Sequence, residues 1–148
     1  DMRSLLLVLL IVAAVSSTAN IVLIMQNACP YDVNLHVVDA DNVVHAGVFA
    51  QGWQLLTMEY YTSEVWIKNG VDGKTKAHLR ITPTFGSHYS IDVTDGFDTG
   101  MRFSPTVVDP VGETILTCAS ADCFAPATKK GTGSKYGGDF YFTFCPSL

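Results

Sequence analysis

Along most of this chain apolar and polar residues change places every second position, the period of a half-buried β-strand. Val33, Leu35 and Val37 alternate with Asn34, His36 and Val38, and Phe140, Phe142 and Phe144 face one way while Tyr141 and Thr143 face the other. Ile91 and Val93 alternate with Asp92 and Thr94, after which Asp95-Gly96 signals a turn, since glycine accepts positive φ without a Cβ clash. Met101, Phe103 and Pro105 then resume the period. Further strands are predicted over 21–25, 43–49, 54–59, 65–68, 77–82 and 114–118, with Asn69-Gly70 and Asp72-Gly73 as turns. The Gly-rich stretch from Asp122 to Gly138 reads as a long loop. Beyond residue 19 no window of ten or more residues carries a helical period. Roughly ten short strands at near-regular spacing predict an all-β fold, an antiparallel sandwich or barrel.

The beginning of the chain breaks this pattern. Arg3 precedes an unbroken apolar run from Leu5 to Val15, and Ser17 and Ala19 supply small residues before Asn20. That arrangement predicts a secretory signal peptide over 1–19, with 20–148 as one exported domain. The run is shorter than the roughly 20 residues a membrane helix needs, so no span is expected once the leader is removed. Behind it lie all four cysteines, Cys29, Cys118, Cys123 and Cys145. An even number in an exported chain predicts two disulfides, and spacing leaves three pairings open. Structural zinc fits poorly, because no Cys-x2-Cys or close histidine pair completes a tetrahedral set.

Composition narrows the chemistry further. With 148 residues, 48% apolar and 16% charged, the chain can bury one core. A net charge of −5 offers no basic face for phosphate, which excludes nucleic acid as a partner. His36, His45, His78 and His88 form no close pair, and Asp39-Ala40-Asp41-Asn42 lacks the glycine and glutamate of a calcium loop. No Gly-x-Ser-x-Gly turn supports a nucleophilic serine. No metal and no cofactor is expected, and the chain carries no N-glycosylation sequon.

Several segments, in order, carry a family resemblance. Asn27-Ala28-Cys29-Pro30-Tyr31-Asp32-Val33 looks like the opening signature of thaumatin-like proteins, Gln51-Gly52-Trp53 like their Gly-x-x-Trp turn, and Val65-Trp66-Ile67-Lys68 like their Ile-Trp-x-Arg strand. Tyr89 through Pro105 resembles their Val-Asp-Gly-Phe-Asn segment, and Phe140-Tyr141-Phe142-Thr143-Phe144-Cys145-Pro146 their closing strand. The resemblance implies a thaumatin-like β-sandwich in a short form with few cysteines. It also implies the pair Cys29–Cys145, which leaves Cys118–Cys123.

In the larger members of that family an Arg, a Glu and three Asp form an acidic cleft that binds or hydrolyses β-1,3-glucan. Carried over to this chain, the Arg position falls on Lys68, the Glu near Arg80, the first Asp on Ser90 and the second on Asp95, while the third lies in a region this chain lacks. Asp92 stands close enough to Ser90 to compensate in part. Glycoside hydrolysis takes two carboxylates as acid and base or nucleophile, and this set does not supply them. Asp95 also suits a plainer role, accepting hydrogen bonds within its own turn. Rings that stack on sugar faces offer a second route, with Tyr60, Tyr61, Trp66, Tyr89 and Phe97 as candidates.

The expected carbohydrate-binding residues are therefore Lys68, Arg80, Tyr89, Asp92 and Asp95, with no catalytic residue assigned. The expected protein is a secreted, monomeric, non-catalytic binder of cell-wall polysaccharide such as β-glucan, acting in defence or wall remodelling. The alternatives are an endo-β-1,3-glucanase-type hydrolase, and a protein-directed inhibitor or effector that uses the loop from Asp122 to Gly138.

Overall fold

The computed structural model describes residues 21–39, 42–58, 64–82, 86–106, 115–123, 129–131 and 140–147. The expected leader, Tyr60, Tyr61 and most of the stretch from Asp122 to Gly138 lie outside the described residues. Among the described residues eleven strands run in chain order: β1 (Ile21–Asn27), β2 (Val33–Asp39), β3 (Asn42–Phe49), β4 (Gly52–Met58), β5 (Glu64–Asn69), β6 (Lys76–Thr82), β7 (Gly86–Asp92), β8 (Met101–Pro105), β9 (Leu116–Cys118), β10 (Lys129–Gly131) and β11 (Phe140–Phe144). No helix among the described residues is long and apolar enough to cross a membrane.

The strands form two sheets, β4-β1-β11-β8-β9 and β10-β7-β6-β5-β2-β3, which pack as a sandwich. The alternation seen along the chain decides which side of each sheet is buried. Leu23, Met25, Met101, Phe103, Phe140, Phe142 and Phe144 point inward from the five-stranded sheet. Leu35, Val37, Val65, Ile67, Ala77, Leu79, Tyr89 and Ile91 meet them from the six-stranded sheet. Rings lock the two layers together: Tyr89 lies 5.6 Å from Phe140 and 5.9 Å from Phe103, and Phe49 lies 6.3 Å from Phe144, all between centroids.

Two features depart from expectation. The stretch expected to be loop contributes β10, which pairs Lys129–Gly131 with Tyr89, His88 and Ser87 at the edge of the six-stranded sheet. The second concerns direction. Among the described residues all pairings are antiparallel except that of β1 with β11, which run side by side from Leu23 opposite Phe140 to Asn27 opposite Phe144. Parallel pairing brings the two strand ends out at the same place. The Ala28 N–H extends the ladder to the Phe144 carbonyl at 3.1 Å, and the next residues along are Cys29 and Cys145.

Those two cysteines are bonded, with Cα atoms 4.9 Å apart across a sequence separation of 116. Cys118 and Cys123 form the second bridge just beyond β9. Of the three pairings open from spacing, the fold selects the one that the resemblance implies. Two disulfides are consistent with an oxidising, extracellular setting.

Candidate functional site

Because side chains opposite one another across a ladder share a face, the register of the six-stranded sheet arranges its outer surface in rows. His36, Lys68, Lys76 and Asp92 form one row across β2, β5, β6 and β7. Val38, Trp66, His78 and Ser90 form the next, and Glu64, Arg80 and His88 the one beyond. The first two rows enclose a shallow groove of about 260 Å³ lined by Val38, Trp66, Lys68, Lys76 and Asp92. His78 covers one face of the Trp66 indole at 4.1 Å between ring centroids, nearly parallel at 20°. Its Nε2 donates to Glu64 Oε1 at 2.6 Å, which holds the imidazole against the indole.

The rim of the groove is set by two loops bound to each other. Asp98 accepts from the backbone N–H of Lys74 at 2.7 Å and of Thr75 at 3.1 Å, and the Thr75 hydroxyl accepts from the N–H of Asp98 at 3.1 Å. Asn69 extends the seam, its Nδ2 donating to Thr99 Oγ1 at 3.0 Å. In the turn between, the Gly96 N–H donates to the Val93 carbonyl at 2.9 Å, with Gly96 at a φ of +112° that a side chain would strain. The turn delivers the Asp95 carboxylate onto Lys76, and the two form an ion pair.

Charge in the groove follows from these contacts. Asp92 Oδ1 accepts from the Thr94 hydroxyl and, at 2.8 Å, from the Thr94 N–H, which hold its carboxyl below the usual range, with the Lys76 ammonium adding a smaller effect. The hydrogen bond to Asp95 holds Lys76 above the usual lysine range, aided by the charges of Asp95 and Asp92. Lys68 donates from Nζ to the Val71 carbonyl at 2.6 Å, which directs its charge toward the loop end of the row. Near neutral pH the groove therefore presents fixed charges of both signs beside an indole.

Of the residues expected to bind sugar, Lys68 and Asp92 line the groove and Asp95 sits at its rim through Lys76. Arg80 shares the face but stands in another row, opposite Glu64 and His88. Tyr89 must be corrected. It lies one position out of phase with Ser90 and His88, so its ring turns inward and is fully buried against Phe103 and Phe140. Phe97 also packs against the core. The local capping expected of Asp95 belongs instead to Asp92. Lys76 has no counterpart among the expected residues, because only the β5–β6 register places it beside Lys68. No group of three or more possible metal ligands occurs among the described residues.

Compared with known protein families and with curated protein sequences, the chain matches no family model and no sequence significantly.

Proposed function

We propose that the chain is an exported, thaumatin-like binding protein that recognises cell-wall polysaccharide of the β-glucan type through the outer face of its six-stranded sheet, without cleaving it. The observation that carries this reading is the juxtaposition of Trp66 with Lys68, Lys76 and Asp92 in one groove. An indole offers an apolar surface to the ring of a sugar, and flanking ammonium and carboxylate groups orient its hydroxyls. Among the described residues the hydrogen bonds of Asp92 fall on Oδ1, which holds Thr94, and Oδ2 serves a ligand hydroxyl. Its depressed pKa suits an acceptor and is the opposite of what a general acid requires. The disulfide between Cys29 and Cys145 supports both the family and the exported setting.

Affinity electrophoresis in laminarin, paired with a reducing-sugar assay, tests the reading. The wild type is expected to be retarded, Trp66→Ala and Asp92→Asn to lose about tenfold in affinity, and no reducing ends to appear. Neither Asp92 nor Lys76 titrates between about pH 5 and 9, so a change of affinity within that range would not come from these two charges. Release of reducing ends that Asp95→Ala abolishes would establish a hydrolase instead, and absence of retardation would remove glucan as the ligand.

A further inference from the structure

The two sheets differ sharply in charge. The six-stranded sheet holds every histidine together with Glu64, Lys68, Lys76, Arg80 and Asp92, whereas Arg102 is the sole formally charged side chain on the five strands of the other. On that second outer face the register sets Trp53, Gln26, Thr143, Arg102 and Thr117 in one row across β4, β1, β11, β8 and β9. Tyr141 and Ser104 adjoin it in the next row. A groove of about 270 Å³ runs between Trp53 and Arg102, lined also by Gln26, Ser104, Tyr141 and Thr143.

We propose that this groove is a second saccharide site, independent of the glucan reading, and that it takes a short oligosaccharide of carboxylate-bearing sugars. Trp53 is 63% exposed and Tyr141 42%, a cost in apolar surface that the core does not require. Their rings meet edge to face at 6.5 Å and 79°, so one forms a floor and the other a wall. A pyranose ring seats on such a corner by its C–H face. Gln26, Ser104 and Thr143 then offer an amide and two hydroxyls to its hydroxyl groups, which a purely apolar partner would leave unpaired.

Charge selects the kind of sugar. Arg102 forms no ion pair among the described residues, and its Nε is buried without a hydrogen-bond partner, so the donors it can offer a ligand are those of its two terminal nitrogens. Among the described residues no carboxylate lines the groove. A guanidinium left in this way matches a planar carboxylate through two parallel N–H donors. Trp53 and Arg102 stand three strand spacings apart, about 14 Å between Cα atoms, more than one sugar ring covers. A uronate oligomer bridges that distance with one ring on the aromatic corner and a carboxylate on Arg102.

Titration of the oxidised protein with trigalacturonate, followed by tryptophan fluorescence and calorimetry, tests this. Binding is expected to weaken as salt rises, and methyl-esterified trigalacturonate, its uncharged counterpart, to bind at least tenfold more weakly. Trp53→Ala, an exposed position, should lose about tenfold or more, and Arg102→Lys should lose affinity because it keeps the charge but not the fork. Lys68→Ala should bind trigalacturonate as the wild type does, which separates this groove from the one on the other sheet. Equal binding of the two sugars, insensitivity to Trp53→Ala, or loss on Lys68→Ala would each overturn the proposal. So would a concentration-dependent dimer that Trp53→Ala dissolves, since the face would then be covered by a second copy.

Discussion

Asn27 carries more of the structure than its polar side chain suggests. It is buried at the end of β1, where Nδ2 donates to the carbonyls of Phe49 at 2.7 Å and Tyr31 at 3.0 Å while Oδ1 accepts from the Cys29 N–H at 2.9 Å. One amide thus fixes the chain's exit from β1, the end of β3 and the position of a bridged cysteine. Replacing it with alanine leaves buried backbone groups without partners, and Asn27→Ala is expected to lower stability by about 2–4 kcal/mol, measured from the denaturant midpoint of the oxidised protein. In the sequence Asn27 reads as a turn former because it opens a polar cluster. The signal was correct in kind but one role short, since the side chain makes the turn by holding backbone from a strand distant in sequence.

Among the elements, faces were legible and neighbours were not. Period-two alternation specifies which side of β2, β8 and β11 is buried, and the burial of Val33, Met101, Phe103, Phe142 and Phe144 follows it. Alternation says nothing about which strand lies alongside, so the parallel β1–β11 pair and the placement of Lys76 beside Lys68 had no signal. β10 escaped because Lys129-Lys130-Gly131 has no apolar alternation and is a strand only by pairing with β7. The second groove was hidden for the same reason: Trp53, Arg102 and Tyr141 come from three distant segments. Within β6 and β7 the paired charges set a dependence on pH. Asp92, with its pKa lowered by Thr94, adds stability above its unfolded value near 3.8 that is lost as pH falls through its folded value. Lys76, raised chiefly by Asp95, adds stability below 10.5 that is lost as pH rises through its higher folded value. Carbon-detected NMR titration should show the Asp92 carboxyl moving up toward its ordinary value in Thr94→Val, and the Lys76 ammonium moving down in Asp95→Asn.

For the whole molecule, the bond between Cys29 and Cys145 encloses nearly all of the described chain. In the chain-entropy description a loop of that length stabilises by about 4–5 kcal/mol, against about 2 for the small loop between Cys118 and Cys123. The double variant Cys29→Ala/Cys145→Ala should therefore melt well below Cys118→Ala/Cys123→Ala, as differential scanning calorimetry would record. The placement of β11 has a consequence for biosynthesis as well. It lies between β1 and β8, so a nascent chain lacking residues 140–144 can offer only two separate pairs, β4 with β1 and β8 with β9. Contacts of such high order form late and slowly. The five-stranded sheet must therefore wait for β11 to leave the ribosome, and a chain stopped before it lacks the middle of a layer, not its fringe.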